Sequence, residues 1–168
     1  MTTKDEKTDF ADRYLTEWGT QKGYKPSPLG DMVPFIRLLR VAAQLEASLK
    51  VHCDTEDITT AQFQALSALK RLDPQGLSAK EIMDATVLTS GSVTSMIDQL
   101  IKKKLVQRQT SEEDRRQIQI RLTALGHRVI EKVLKLRTQE LKDYGKLYSA
   151  TELKHLSELL KRMSLHLE

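Results

Sequence analysis

Apolar residues recur along this chain at intervals of three and four, which predicts a series of amphipathic helices interrupted once by strict alternation. Phe10, Tyr14, Leu15 and Trp18 mark a short helix over residues 9–21, and Gly23-Tyr24-Lys25-Pro26-Ser27-Pro28 reads as a linker. Asp31 is placed to cap a helix with Pro34 in its first turn, and Phe35, Leu38, Leu39, Ala42, Leu45 and Leu49 form its apolar stripe. Thr59-Thr60-Ala61-Gln62 is a capping box opening a helix with Phe63, Leu66, Leu69 and Leu72, which ends at Asp73-Pro74-Gln75-Gly76. Ser78 and Glu81 form another box, and the helix they open is short, Ala79 to about Thr86. After a turn at Val87-Leu88, a second helix begins within Thr89–Ser95 and runs to about Lys103. Val93, Met96, Ile97, Leu100 and Ile101 lie on one face of it, and Ser92, Ser95, Gln99 and Lys102 on the other.

The period then changes. Gln107-Arg108-Gln109 reads as a strand, and Gln117 to Leu122 alternates polar and apolar as a half-buried strand does. Thr110 to Arg116 between them is a charged turn. Thr110 and Glu113 also match a capping box, but the alternation that follows argues against a helix. From Ala124 a long helix runs to about Leu147, with Ile130, Val133, Leu134, Leu141 and Tyr144 on one side. Ser149 and Glu152 cap a last helix bearing Leu153, Leu156, Leu160, Met163 and Leu167.

Helix, turn, helix and charged hairpin, in that order, outline a winged helix-turn-helix. That arrangement sets one helix in a DNA major groove with a basic tip beside it. Thr89, Ser90, Ser92, Thr94 and Ser95 are small enough to let the helix start approach base edges. Capping alone accounts for Thr89 and Ser90, but not for Ser92, Thr94 and Ser95 as well. Lys102 lies on the same polar face. Arg115 and Arg116 stand near the hairpin tip, where a flat, easily dehydrated guanidinium suits the narrow minor groove. Asp114 is placed to orient Arg116. The plainer reading of the hairpin is a solvated turn whose charges keep it soluble.

Charge sharpens this picture. The net charge is only +4, but residues 99 to 128 hold eight Lys/Arg against three Asp/Glu, a local basic patch. A length of 168 residues suits one domain, or a protomer that completes its core by dimerising. No apolar run approaches the roughly 18 residues of a membrane span, and the first residues are charged rather than signal-like. The single cysteine rules out an internal disulfide framework, and the chain is expected in the cytoplasm. No catalytic constellation, phosphate loop, metal-ligand set or cofactor motif is present, so no enzyme activity is expected. His52-Cys53-Asp54 is too compact to hold a metal. A neighbouring histidine can activate a thiol, which keeps a redox switch at Cys53 as an alternative to a small residue at a helix end.

Asp114-Arg115-Arg116-Gln117-Ile118-Gln119-Ile120-Arg121-Leu122-Thr123 resembles the D-x-R…L-T wing signature of the MarR-type winged-helix transcriptional regulators. Leu122-Thr123-Ala124-Leu125-Gly126 resembles the L-T-x-x-G that follows it, and Leu88 to Thr94 resembles the start of the family's recognition helix. The order of elements fits over roughly residues 30–165. Lys104 departs from the pattern, since the family usually has glycine there. A left-handed residue at that point would cost lysine about 1 kcal/mol relative to glycine.

The resemblance implies a mainly α fold with a small β-wing, a winged helix-turn-helix on a helical dimerisation platform. Residues 1–50 would be N-terminal helices on the dimerisation and effector side, 55–123 the DNA-binding region and 124–168 the C-terminal dimerisation helices. The terminal apolar stripes lack a partner within one small winged domain, and a symmetric homodimer supplies one. The implied function is a repressor that holds an inverted repeat of double-stranded DNA and is released by a small molecule. A winged-helix module that binds another protein is the rival reading.

The helix around Trp18 makes the chain most similar to the branch that includes urate-responsive regulators. In that branch a tryptophan, an aspartate and two arginines form the effector pocket. Trp18 and Arg108 match the tryptophan and one arginine, while the aspartate falls at Gln64 and the other arginine at Met96. With those anchors changed, urate is not carried over, and a less charged aromatic effector is expected. Packing of the extra helix is the other role open to Trp18.

Overall fold

The computed structural model describes residues 8–22, 32–72, 76–86, 90–110 and 118–167, without the side chains of residues 19–22 and 90. The chain divides into two compact units, Met1–Leu49 and Lys50–Glu168. In order the elements are α1 (Phe10–Lys22), α2 (Val33–Asp54), α3 (Thr60–Leu72), α4 (Ala79–Asp84), α5 (Ser90–Lys102), β1 (Val106–Thr110), β2 (Ile118–Leu122), α6 (Ala124–Gly145) and α7 (Ala150–Leu167). The fold is therefore mainly helical with one antiparallel hairpin, as the alternation of periods predicts. The cap expected at Asp31, the turn at Val87-Leu88 and the charged turn beyond Thr110 lie outside the described residues.

In the first unit, Asp9 and Asp12 cap α1 reciprocally: the amide of Asp9 donates to Asp12 and the amide of Asp12 to Asp9. Arg37 of α2 then grips both carboxylates, at 2.7 Å and 2.8 Å. Its guanidinium, together with the Asp12 amide, holds the Asp9 carboxyl down to about 2. Phe10, Tyr14 and Trp18 stand one turn apart, with ring centroids 5.9 Å and 6.1 Å apart along the row. Arg40 lies 5.0 Å over the Phe10 ring.

The second unit is built around Leu66, Leu69, Ile82, Val93, Leu100, Val106, Ile130 and Val133, all buried. Thr59 and Gln62 exchange both bonds of a capping box at the start of α3, and Ser78 and Glu81 do so at α4. The amide and hydroxyl of Ser78 hold the Glu81 carboxyl below the usual carboxylate range. α4 stops at Asp84, two residues short of the Thr86 that periodicity suggests. Ala85 becomes the C-cap, and the Thr86 amide reaches back three residues to Met83. β1 and β2 pair with Val106 opposite Leu122 and Thr110 opposite Ile118. Leu77 adds a bridge to Ile120 on the hairpin's other edge. Gly76 enters that bridge with φ +81, and a Cβ there would sit 2.7 Å from Cγ of Arg121.

α6 is buried along its first half, through Gly126, Val129, Ile130 and Val133, and its later Leu141 and Tyr144 are exposed. α7 has no buried residue at all, with Leu156, Leu159, Leu165 and Leu167 each at least 46% exposed. An 18-residue amphipathic helix thus keeps most of its apolar face open within this chain. Among the described residues, no helix is long and apolar enough to cross a membrane.

Candidate nucleic-acid interface

α5 turns its apolar side inward and its polar side outward. Val93, Met96, Ile97 and Leu100 are buried, while Ser92, Thr94, Ser95, Gln99 and Lys102 are exposed. The structure therefore places Ser92, Thr94, Ser95 and Lys102 on the outer surface of one helix, as the 3.6-residue period implies. Ser90 is the first residue of that helix. Thr89, Asp114, Arg115 and Arg116 lie outside the described residues. Gly91 is exposed in the first turn, and a Cβ built on it would meet nothing. Glycine costs an exposed helix about 1 kcal/mol relative to alanine, and among the described residues no neighbour requires it.

Two Schellman turns fix where α5 ends and where α2 ends. At the first, the Leu105 amide donates to the carbonyl of Leu100 and the Lys104 amide to that of Ile101, with Lys104 at φ 58. Leu100 and Leu105, the apolar pair of that motif, are both buried. The left-handed conformation expected at Lys104 is thus present without glycine. At the second, Ile58 donates to Cys53 and Asp57 to Asp54, with Asp57 at φ 51. Cys53 and Ile58 form the apolar pair, at 0% and 3% exposure. Lys103 joins the two turns: its Nζ lies 2.9 Å from the Asp57 carboxylate and also donates to the Asp57 carbonyl. Sequence reasoning missed this tie, because nothing local distinguishes Lys103 from its neighbours.

Thr123 anchors the hairpin to α6. Its hydroxyl oxygen accepts from the Gly126 amide and donates to the Lys104 carbonyl at 2.7 Å. Its own amide donates to the Leu105 carbonyl. A Cβ on Gly126 would collide with that same Leu105 carbonyl oxygen. The L-T-x-x-G spacing is therefore a packing rule. Threonine caps α6 while holding the end of α5, and glycine lets α6 approach the backbone between them.

Beside α5 an open groove of about 440 Å³ is lined by Thr59, Ala61, Gln62, Gly91, Ser92, Ser95, Met96 and Gln99. Gln62 is 2% exposed and was not singled out beyond its capping role. Its amide Nε2 donates to Gln99 Oε1 at 3.1 Å.

The effector candidates are distributed between the two units. Trp18 is on α1, 38% exposed beside Tyr14. Gln64 is half-buried on α3, and Met96 is 6% exposed in α5, packed into the core. Arg108 on β1 pairs with Asp98 of α5 at 2.8 Å. Cys53 is fully buried, and the adjacent His52 lies 3.1 Å from Glu140. A thiol with no exposed surface is poorly placed to meet an oxidant. Among the described residues, no group of three His, Cys, Asp or Glu is arranged to hold a metal ion.

Comparison with known proteins agrees with this geometry. Residues 56–117 match the model of the MarR family. The HTH-type transcriptional regulator PecS of Dickeya dadantii is 28% identical over 131 residues, 77% of this chain and 79% of PecS. Among solved structures, wild-type MarR from E. coli in its apo form has a TM-score of 0.62 at 28% identity, covering 76% of this chain and 94% of that one. The S. aureus MepR–DNA complex shares the fold, with a TM-score of 0.71 at 23% identity over 78% of this chain and 94% of MepR.

Proposed function

This chain belongs to the MarR family of winged-helix regulators, and from that premise we propose that it works as a cytoplasmic homodimeric repressor, released from DNA by a small aromatic effector. Transcriptional regulation of the helix-turn-helix type is the role that two of its relatives, PecS and MhqR, carry in their names. The observation that carries the reading for this chain is the exposed set Ser92, Thr94, Ser95, Lys102 on a helix that buries Val93, Met96, Ile97 and Leu100. Small hydroxyls near the helix start suit base edges, and the lysine at its end suits a phosphate. Thr89 and Ser90, which precede that set in the sequence, complete the proposed contacts, and Arg115 and Arg116, with Asp114 orienting, are assigned the minor-groove contact in this reading. No catalytic step belongs to this reading.

The dimer reading rests on α7, which has no buried residue, and on Leu147, 74% exposed just beyond α6. Two copies related by a twofold axis would bury these faces and present two α5 helices to half-sites about one helical turn apart. The effector reading uses Trp18, Gln64, Met96 and Arg108. Arg108 is already neutralised by Asp98, so an anionic ligand would have to displace that carboxylate. Neutral or weakly acidic aromatics fit better.

Selection from a randomised duplex pool, followed by mass measurement of the complex, tests the reading. An enriched inverted repeat carrying two chains per duplex is expected. A monomer that enriches no sequence contradicts it. For the effector, phenols and purines should quench or shift the emission of Trp18 and weaken the complex. Binding undiminished in both Trp18→Ala and Arg108→Ala contradicts this part.

A further inference from the structure

The groove beside α5 holds hydrogen bonds whose direction is fixed by the backbone. The amide N–H of Thr59 can only donate, and it donates to Oε1 of Gln62 at 3.1 Å. With that oxygen committed, Gln62 turns Nε2 toward Gln99, where it donates to Oε1 at 3.1 Å. Gln99 must therefore keep its oxygen against Gln62, which leaves its own Nε2, with two N–H donors, for what lies outside. Gln99 is exposed, one turn beyond Ser95 and on the same side of α5. An isolated glutamine would present either end of its amide to a ligand, whereas this one presents donors.

We propose that Gln99 donates to a phosphate oxygen of bound DNA, and that the buried Gln62 is a positioning residue that sets the polarity of that contact without touching DNA. The proposal rests on the DNA-binding reading above. Phosphate oxygens only accept, which matches a donor-only group, and glutamine is an ordinary phosphate-contacting side chain. A backbone contact is favoured over a base by distance along the helix. Gln99 lies nine residues after Ser90, roughly 13 Å further on at 1.5 Å per residue. Base reading falls to residues near the start of such a helix. Burying Gln62 leaves neither end of its amide unsatisfied.

The test uses a duplex enriched by the wild-type chain from a randomised pool, with affinity followed by fluorescence anisotropy. Gln99→Met should weaken binding about tenfold or more, the loss of one hydrogen bond to a charged acceptor. The slope of log affinity against log salt should not change, because no charge is removed. Gln99→Glu, which turns an acceptor toward the phosphate, should lose more. Gln62→Met should weaken binding in the wild-type background and add nothing in the Gln99→Met background. Should Gln62→Met fail to fold, the ordering of Gln99→Met and Gln99→Glu decides. Wild-type affinity in Gln99→Met overturns the proposal, and so does a Gln62→Met loss of equal size in both backgrounds. Failure of the wild-type chain to enrich any duplex overturns the DNA-binding reading instead.

Discussion

Lys103 and Asp57 tie the end of α5 to the end of α2: the lysine Nζ lies 2.9 Å from the aspartate carboxylate and also bonds the aspartate carbonyl. Each residue sits at a Schellman turn, and each turn uses a left-handed residue other than glycine, Asp57 at φ 51 and Lys104 at φ 58. The helix end is thus held both by its own backbone and by a side chain from across the unit.

The pair separates charge from conformation at Asp57. The carboxylate is 96% exposed, so losing it should cost about 1 kcal/mol or less. Asp57→Asn removes that charge but keeps a side chain that tolerates the left-handed region. Asp57→Ala removes both and should be destabilised by about 1 kcal/mol more than Asp57→Asn. Urea denaturation of the two variants checks this, and equal midpoints would contradict it.

Lys104 is exposed, and its strained φ serves only the turn. Lys104→Gly should raise stability by up to about 1 kcal/mol, offset in part by the greater freedom of glycine in the unfolded chain. A lowered melting temperature would show that the lysine side chain makes a contact that matters.

Gly126 and Gly145 both lie in α6, and only Gly126 faces backbone: a Cβ there meets the Leu105 carbonyl, whereas one at Gly145 meets nothing. Gly126→Ala should cost about 1–3 kcal/mol through forced overpacking. Gly145→Ala should be neutral or gain up to about 1 kcal/mol of helix propensity. Comparable losses at both positions, measured by thermal melts, would count against the close approach.

How much of this could be read from sequence follows from distance along the chain. The capping boxes at Thr59, Ser78 and Ser149 span three residues each, and all form as read. The buried face of α5 also follows from its period. Lys104 was legible because the family pattern puts glycine there, whereas nothing in Thr55-Glu56-Asp57-Ile58 announces a left-handed aspartate. The Gln62–Gln99 and Lys103–Asp57 bonds join residues 37 and 46 positions apart. Either pair exists only once α5 has packed against α3 or the turn that precedes it, so no local signal marks it. Cys53 illustrates the same limit: its His52 neighbour suggested reactivity, but its burial came from the turn that closes α2.

Arg116 carries the minor-groove part of the proposal. Arg116→Ala should weaken binding to an enriched duplex by about 1–3 kcal/mol while the helical circular-dichroism signal stays intact. A gel-shift series with unchanged affinity would remove the wing tip from the interface.

The central claim is that the exposed face of α5 lies against DNA, and a single charge placed there tests it most directly. Ser95 is exposed, so Ser95→Glu should fold normally while setting a negative charge against the phosphates. Lys135→Ala, at an exposed position on α6, changes the net charge by the same amount elsewhere. Anisotropy titrations of one enriched duplex at fixed salt should show Ser95→Glu weakened by at least about tenfold, since like charges facing each other cost several kcal/mol. Lys135→Ala should stay close to wild type, and the melting temperatures of all three proteins should agree. Equal affinities for Ser95→Glu and the wild type, with both folded, would contradict the account.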